Sequence, residues 1–204
     1  MNSLFCRYRR ERLLDWYEVV ERICFNNEEI GGEIMGYVYW ITGLSGAGKT
    51  SIGILLYEKM KRKYPNTVFL DGDALREVFG NDLGYTREER IKCAMRYARL
   101  CKMLQEQEMN VICCTISMFD VIRSWNRENI KNYREIYVKV SMEVLTKRNQ
   151  KGLYSNSMDL ICKDVAGIHV NVEEPKNPDM VLENNGDVSI SELADSILER
   201  FGEQ

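Results

Sequence analysis

Eight residues, Gly43-Leu44-Ser45-Gly46-Ala47-Gly48-Lys49-Thr50, fit the pattern G-x-x-x-x-G-K-[ST]. Each residue type has a job in that pattern. The glycines let backbone N–H groups wrap the phosphates of a nucleotide, and the helix that Ser51 continues adds the positive end of its dipole. Lys49 is expected on the β- and γ-phosphates, and Thr50 on Mg²⁺. A second cluster follows in Leu70-Asp71-Gly72-Asp73-Ala74-Leu75-Arg76. Asp71 and Asp73 come just after a strand pattern, where ligands of parallel sheets bind. A carboxylate there can orient or deprotonate an attacking hydroxyl and help hold the metal, partly through water. Arg76, one helical turn on, can clamp an anionic acceptor. Alone, this cluster reads equally as a turn and helix cap; its distance from the phosphate loop favours chemistry. A guanine-recognising N-K-x-D segment is not found.

These residues need a frame, and the rest of the chain supplies one. Strand signals fall at Tyr37–Thr42, Thr67–Leu70, Val111–Ile116, Glu135–Val140 and Met180–Leu182. Helical periodicity falls at Thr50–Lys63, Arg87–Glu108, Val121–Ile130, Met142–Asn149 and Ile190–Phe201. Such alternation predicts an α/β fold of the P-loop NTPase type: a doubly wound, mostly parallel β-sheet with helices on both faces. Lys151–Ile168 is a polar stretch without a clear period. Residues 1–34 read as an N-terminal helical extension, with Leu13, Leu14, Tyr17, Val20 and Ile23 or Cys24 at helical spacing before Gly31-Gly32 breaks it. Met35 would itself make a natural start, so the extension stands either as a packing helix or as translated leader. Residues 35–204 form the expected P-loop domain.

Bulk properties exclude several classes. The formal net charge of −3 does not suggest a nucleic-acid surface. No apolar run approaches a membrane span. Seven cysteines without a C-x-x-C pair, and a single histidine, His169, argue against zinc. An odd cysteine count without a framework fits a reducing, cytoplasmic setting. Adjacent Cys113 and Cys114 are expected as small apolar fillers of a buried strand.

The ordered set LDGDALR, NDLGYTREER, TIS, KRNQKGLY, AGI and EEP resembles the signatures of adenylylsulfate kinases, over Gly36 to Phe201. That family transfers the γ-phosphate of MgATP to the ribose 3′-hydroxyl of adenosine 5′-phosphosulfate and is commonly dimeric. The resemblance implies a small-molecule nucleotide acceptor, ATP with Mg²⁺, and a homodimer. It implies roles residue by residue. Asp73 is the base and metal-side carboxylate. Arg76 and Arg90 grip the acceptor's 5′ anionic group, and Tyr85 stacks on its base. Ile116 and Ser117 lie near the acceptor, and Arg148 packs on the ATP adenine. The resemblance makes Lys151–Ile168 a lid, and Lys151 reaches both substrates as it shuts.

The departures from the family gather on the acceptor side. Val165 stands where the family has a phenylalanine that completes a sandwich with Tyr85. Losing one such stack is worth roughly 1–3 kcal/mol. Cys93 stands where the family has an asparagine near the acceptor. Ser117-Met118 replaces serine-proline, and Asn149-Gln150 replaces aspartate-proline. Two explanations compete: drift in an adenylylsulfate kinase, or the same 3′-hydroxyl chemistry on another activated nucleotide. One relative of the family acts on cytidine diphosphoramidate in bacterial capsule assembly, and a pyrimidine needs less stacking surface. A non-catalytic nucleotide-binding module has no need of Asp73, Arg76 and Lys151. A small-metabolite kinase fits the D-G-D-x-x-R and K-G-L-Y pair poorly.

Overall fold

The computed structural model describes residues 36–148 and 172–202. Lys151, Val165, His169 and the expected lid lie outside the described residues, as does the N-terminal extension. Five parallel strands form one sheet: β1 (Val38–Thr42), β2 (Thr67–Asp71), β3 (Asn110–Thr115), β4 (Tyr133–Lys139) and β5 (Met180–Glu183), in the order β2-β3-β1-β4-β5. Between and after them run α1 (Lys49–Lys63), α2 (Gly72–Val78), α3 (Arg87–Gln105), α4 (Asp120–Asn129), α5 (Met142–Arg148) and α6 (Ile190–Phe201). Among the described residues no helix is long and apolar enough to cross a membrane.

The central strands are apolar without alternation because both faces are covered. Side chains of β1 point alternately to the two faces. Tyr39 and Ile41 join Ile52, Leu56 and Met60 of α1 and Ala194 and Ile197 of α6 in one core. Val38 and Trp40 join Ala94, Tyr97, Ala98 and Cys101 of α3 and Ile122 of α4 in the other. Burying each large side chain contributes about 1.5–3 kcal/mol, so two cores flanking one sheet hold the strands firmly. Cys113 and Cys114 are buried in β3, one on each face, as fillers. Register aligns the ends that matter: Thr42 of β1 lies beside Thr115 of β3, and Asp71 of β2 beside Cys114.

Element ends differ from the sequence expectation by up to three residues, as end fraying and the last hydrogen bond decide them. One helix was not expected as an element. α2 has seven residues and buries Leu75 alone, so it carries no periodicity to read. Its signal is the cap: Asp71 ends β2 in extended geometry and accepts from the N–H groups of Asp73 and Ala74. Capping boxes, Thr86 with Glu89 and Ser189 with Glu192, open α3 and α6.

A polar strap closes the second face. Glu135 of β4 is 2% exposed and meets Arg127 of α4 at 2.9 Å. Burial pushes the Glu135 carboxyl up, against the pull of Arg123 and Arg127. Arg127 also reaches Asp179 at 3.3 Å, and Asp179 accepts from the Glu135 N–H, which sets the approach into β5.

Candidate functional site

The site gathers at the carboxyl end of the sheet, built from the turns that follow β1, β2, β3 and β5. After β1 the chain must turn sharply into α1. Gly43 adopts φ 153°, and a Cβ there would lie 2.4 Å from the Val138 carbonyl oxygen. Gly48 adopts φ 95° as the left-handed cap of α1, and a Cβ there would lie 2.5 Å from Asn184 Nδ2. Only glycine fits both constraints. Lys49 opens the helix and is 9% exposed, with its ammonium donating to the Leu44 carbonyl at 2.7 Å. Burial lowers its pKa from the usual value to about 8, partly offset by Cys114, Asp73 and Asp71. Beneath it, burial pushes the Cys114 thiol up, and the neutral S–H donates to the Lys49 carbonyl at 3.2 Å.

The turn after β2 brings the carboxylates. Asp71 turns one oxygen to the N-terminus of α2 and the other to Thr50, whose hydroxyl donates to it at 2.7 Å. Asp71 is thereby a further candidate beside the expected metal pair of Thr50 and Asp73. The carboxylate that meets Thr50 is Asp71, because strand end and cap fix it there. Asp73 sits exposed in the first turn of α2, within electrostatic range of Lys49. The hydroxyl and carboxylate oxygens of Thr50 and Asp71 suit a hard cation that also takes phosphate oxygens, such as Mg²⁺. No cluster of three or more acidic, histidine or cysteine ligands exists among the described residues, and an ion held largely by phosphate needs none.

The acceptor-side residues Arg76, Tyr85 and Arg90 come together. The Arg76 guanidinium lies 4.5 Å from the Tyr85 ring centre and the Arg90 guanidinium 5.2 Å. Arg76 donates to the Leu83 and Gly84 carbonyls at 2.5 and 3.2 Å, and Arg90 Nε to the Tyr85 carbonyl at 2.8 Å. Tyr85 is 52% exposed, so it presents an aromatic surface to solvent. The Ile116 carbonyl accepts from the Thr42 hydroxyl at 2.5 Å. Ser117 is buried, its hydroxyl 2.7 Å from that of Thr115. Cys93, expected near the acceptor, is buried in the α3 core. Its thiol donates to the Tyr97 oxygen at 2.9 Å, and Tyr97 donates to the Gly72 carbonyl at 3.0 Å. The α3 stripe that packs on the sheet includes position 93, and Tyr97 links it to Gly72 in the turn between Asp71 and Asp73.

The fourth part was half legible. Arg148, at the end of α5, donates to the Gly46 carbonyl at 3.3 Å and to the Asn184 carbonyl at 2.8 Å. Gly46, Gly48, Arg148, Asn184 and Ile190 line a cleft of about 340 Å³ beside the phosphate loop. Asn184 was not foreseen. It follows the short strand β5 in a run, Glu183-Asn184-Asn185-Gly186, that reads as an ordinary turn. Glu173 was quoted within EEP without a role. It pairs with Arg87 and accepts from the Asp120 N–H at 2.5 Å, tying its segment to the starts of α3 and α4.

Comparison with known proteins gives a consistent picture. The family model described as adenylylsulphate kinase matches residues 35–183. A cytidine diphosphoramidate kinase of Campylobacter jejuni subsp. jejuni serotype O:2 is 42% identical over 165 residues, covering 81% of this chain and 96% of the relative. An adenylyl-sulfate kinase of Halothermothrix orenii is 33% identical over 169 residues, covering 83% and 91%. Among solved structures, the Mycobacterium tuberculosis APS kinase in complex with AMPPNP and APS superposes with a TM-score of 0.76 at 28% identity, covering 82% of this chain and 98% of that one.

Proposed function

This chain belongs to the adenylylsulphate kinase family, and from that premise we propose that it transfers the γ-phosphate of ATP to the ribose 3′-hydroxyl of an activated 5′-nucleotide. The observation that carries the reading is the convergence of a buried lysine, a hydroxyl–carboxylate pair and an arginine–tyrosine–arginine cluster on turns at one end of the sheet. Lys49 neutralises charge on the β- and γ-phosphates, and Arg148 covers the base of ATP. Thr50 and Asp71, with Asp73 through water, would hold Mg²⁺; when bound, the ion draws charge from the β- and γ-oxygens. Arg76 and Arg90 fix the acceptor's 5′ anionic group, with its base against Tyr85. Asp73 takes the proton as the 3′-oxygen bonds to the γ-phosphorus and the bond to the β-bridging oxygen breaks, releasing ADP. Phosphoryl transfer needs little covalent help, so positioning and charge carry most of the rate. Lys151 keeps the lid role that the resemblance implies. A cytoplasmic homodimer belongs to the same reading.

Adenosine 5′-phosphosulfate is the acceptor that the family name implies. A second reading, cytidine 5′-diphosphoramidate, is favoured by the 42% identity to a kinase of that name. Cys93 and Val165, where the family has asparagine and phenylalanine, support it too. The test is ADP release from MgATP with the two acceptors side by side, with mass spectrometry for a 3′-phosphate on the product. Faster turnover of the adenosine compound supports the first reading; faster turnover of the cytidine compound supports the second. ADP release that neither acceptor stimulates would sink both.

A further inference from the structure

Asn184 makes more connections at the site than any role so far explains. It is 3% exposed. Its N–H donates to the Lys139 carbonyl at 2.9 Å, which extends the pairing of β4 and β5 by one residue. Its side-chain Nδ2 donates to the Ala47 carbonyl, inside the phosphate loop, at 2.8 Å. Its own carbonyl accepts from Arg148 Nη2 at 2.8 Å, and its Oδ1 faces the same nitrogen at 3.4 Å. Gly48 makes room for the amide, since a Cβ there would lie 2.5 Å from Nδ2.

Two other hydrogen bonds support the loop from within. The Ala47 N–H donates to the Leu44 carbonyl at 3.2 Å, and the Lys49 ammonium donates to the same carbonyl at 2.7 Å. The lysine must turn toward phosphate when a nucleotide arrives, so its bond to the loop is temporary. The Asn184 bond has no such conflict and can persist. An asparagine is suited to this place because one planar group donates to Ala47 and accepts from Arg148 at once. An aspartate offers acceptors alone and would face the Ala47 carbonyl with like charge.

We propose that Asn184 is a positioning residue for the donor nucleotide, holding the phosphate loop and the base-covering Arg148 in one fixed relation before the nucleotide binds. The inference rests on the reading that an adenine nucleotide is the donor, but not on which acceptor is used. Preorganisation of this kind shows as binding strength, since the protein no longer has to order the loop when the ligand arrives.

The experiment measures MgADP affinity by titration calorimetry without any acceptor, for the unmodified chain, Asn184→Ala and Asn184→Asp, alongside melting temperatures. With the better of the two acceptors, KM for ATP, KM for the acceptor and kcat are then compared. Loss of a buried amide bond predicts affinity for MgADP weakened about 5- to 100-fold in both variants. KM for ATP should rise in parallel, while acceptor KM stays put. Asn184→Asp keeps the side-chain volume, so its matching loss excludes a cavity effect and keeps the test alive if Asn184→Ala does not fold. Unchanged MgADP affinity with only a lower melting temperature would overturn the proposal and leave Asn184 as a packing residue. If the unmodified chain binds MgADP yet phosphorylates neither acceptor, the proposed acceptors fail and the Asn184 comparison still reads out.

Discussion

The two halves of the proposed site, donor and acceptor, are built on opposite principles. The donor half is main chain. Gly43, Gly48, the Ala47 and Leu44 carbonyls and the first turn of α1 define it, and buried Lys49 and Asn184 lock it. The acceptor half is side chain. Arg76, Tyr85 and Arg90 hold one another over the turn before α3, and half of Tyr85 faces solvent. A main-chain cradle reads phosphate, which every nucleotide shares, and tolerates little substitution because a Cβ would collide with backbone. A side-chain cluster reads what differs between acceptors, and changing a residue there leaves the fold intact. Among the described residues, the departures Cys93 and Met118 are buried rather than part of the exposed cluster.

The sharpest way to break this comparison is Lys49→Ala. Removing a preorganised cation from the phosphates should lower kcat/KM by about 10³ or more. The melting temperature should hold or rise, because burial already disfavours the charge. A variant that loses stability along with activity would show that Lys49 belongs to the core as much as to the chemistry.

Arg76→Ala probes the other half. A charged hydrogen bond is worth about 1.5–3 kcal/mol, so acceptor KM should rise about 10- to 100-fold. KM for ATP should not change, since Arg76 reaches Leu83, Gly84 and Tyr85 and nothing in the phosphate loop. Equal shifts in both constants would erase the division into halves.

A smaller effect comes from pH. Lys49 in the free protein titrates at about 8, lowered from 10.5 chiefly by burial. Bound phosphate favours the charged form, so nucleotide affinity should fall as pH rises above about 8, by up to about tenfold per unit. The stability contribution has the opposite sign. Between about 8 and 10.5 the unfolded chain holds the proton that the folded chain has lost, so this group adds stability as pH rises through that window. Calorimetric titrations at pH 7, 8 and 9 check the first part, and melting curves over the same range the second; a flat affinity profile would mean that the ammonium is better solvated than its burial implies.

Much of this was readable along the chain. G-x-x-x-x-G-K-T announced the donor cradle, because a tight phosphate loop leaves few choices of residue. The apolar runs at Val38–Thr42 and Asn110–Thr115 announced a sheet buried on both faces. What escaped was settled by contacts distant in sequence. α2 escaped because seven residues with one buried side chain carry no period. The burial of Cys93 and its bond to Tyr97 escaped too, because only the packing of α3 on the sheet sets them. Asp71 and Asp73 were legible as a pair, and the strand end alone decides that Asp71 meets Thr50.

The sequence by itself determined the class of chemistry and the order of strands and helices, because local geometry around phosphate and alternating hydrophobic periods are both written in adjacent residues. The tertiary structure alone decided which carboxylate faces the Thr50 hydroxyl, and that Asn184 bonds to the phosphate loop from 137 residues away. Those choices depend on strand order and register, which bring the carboxyl ends of β1, β2 and β5 to one end of the sheet, and no short stretch of sequence encodes that meeting.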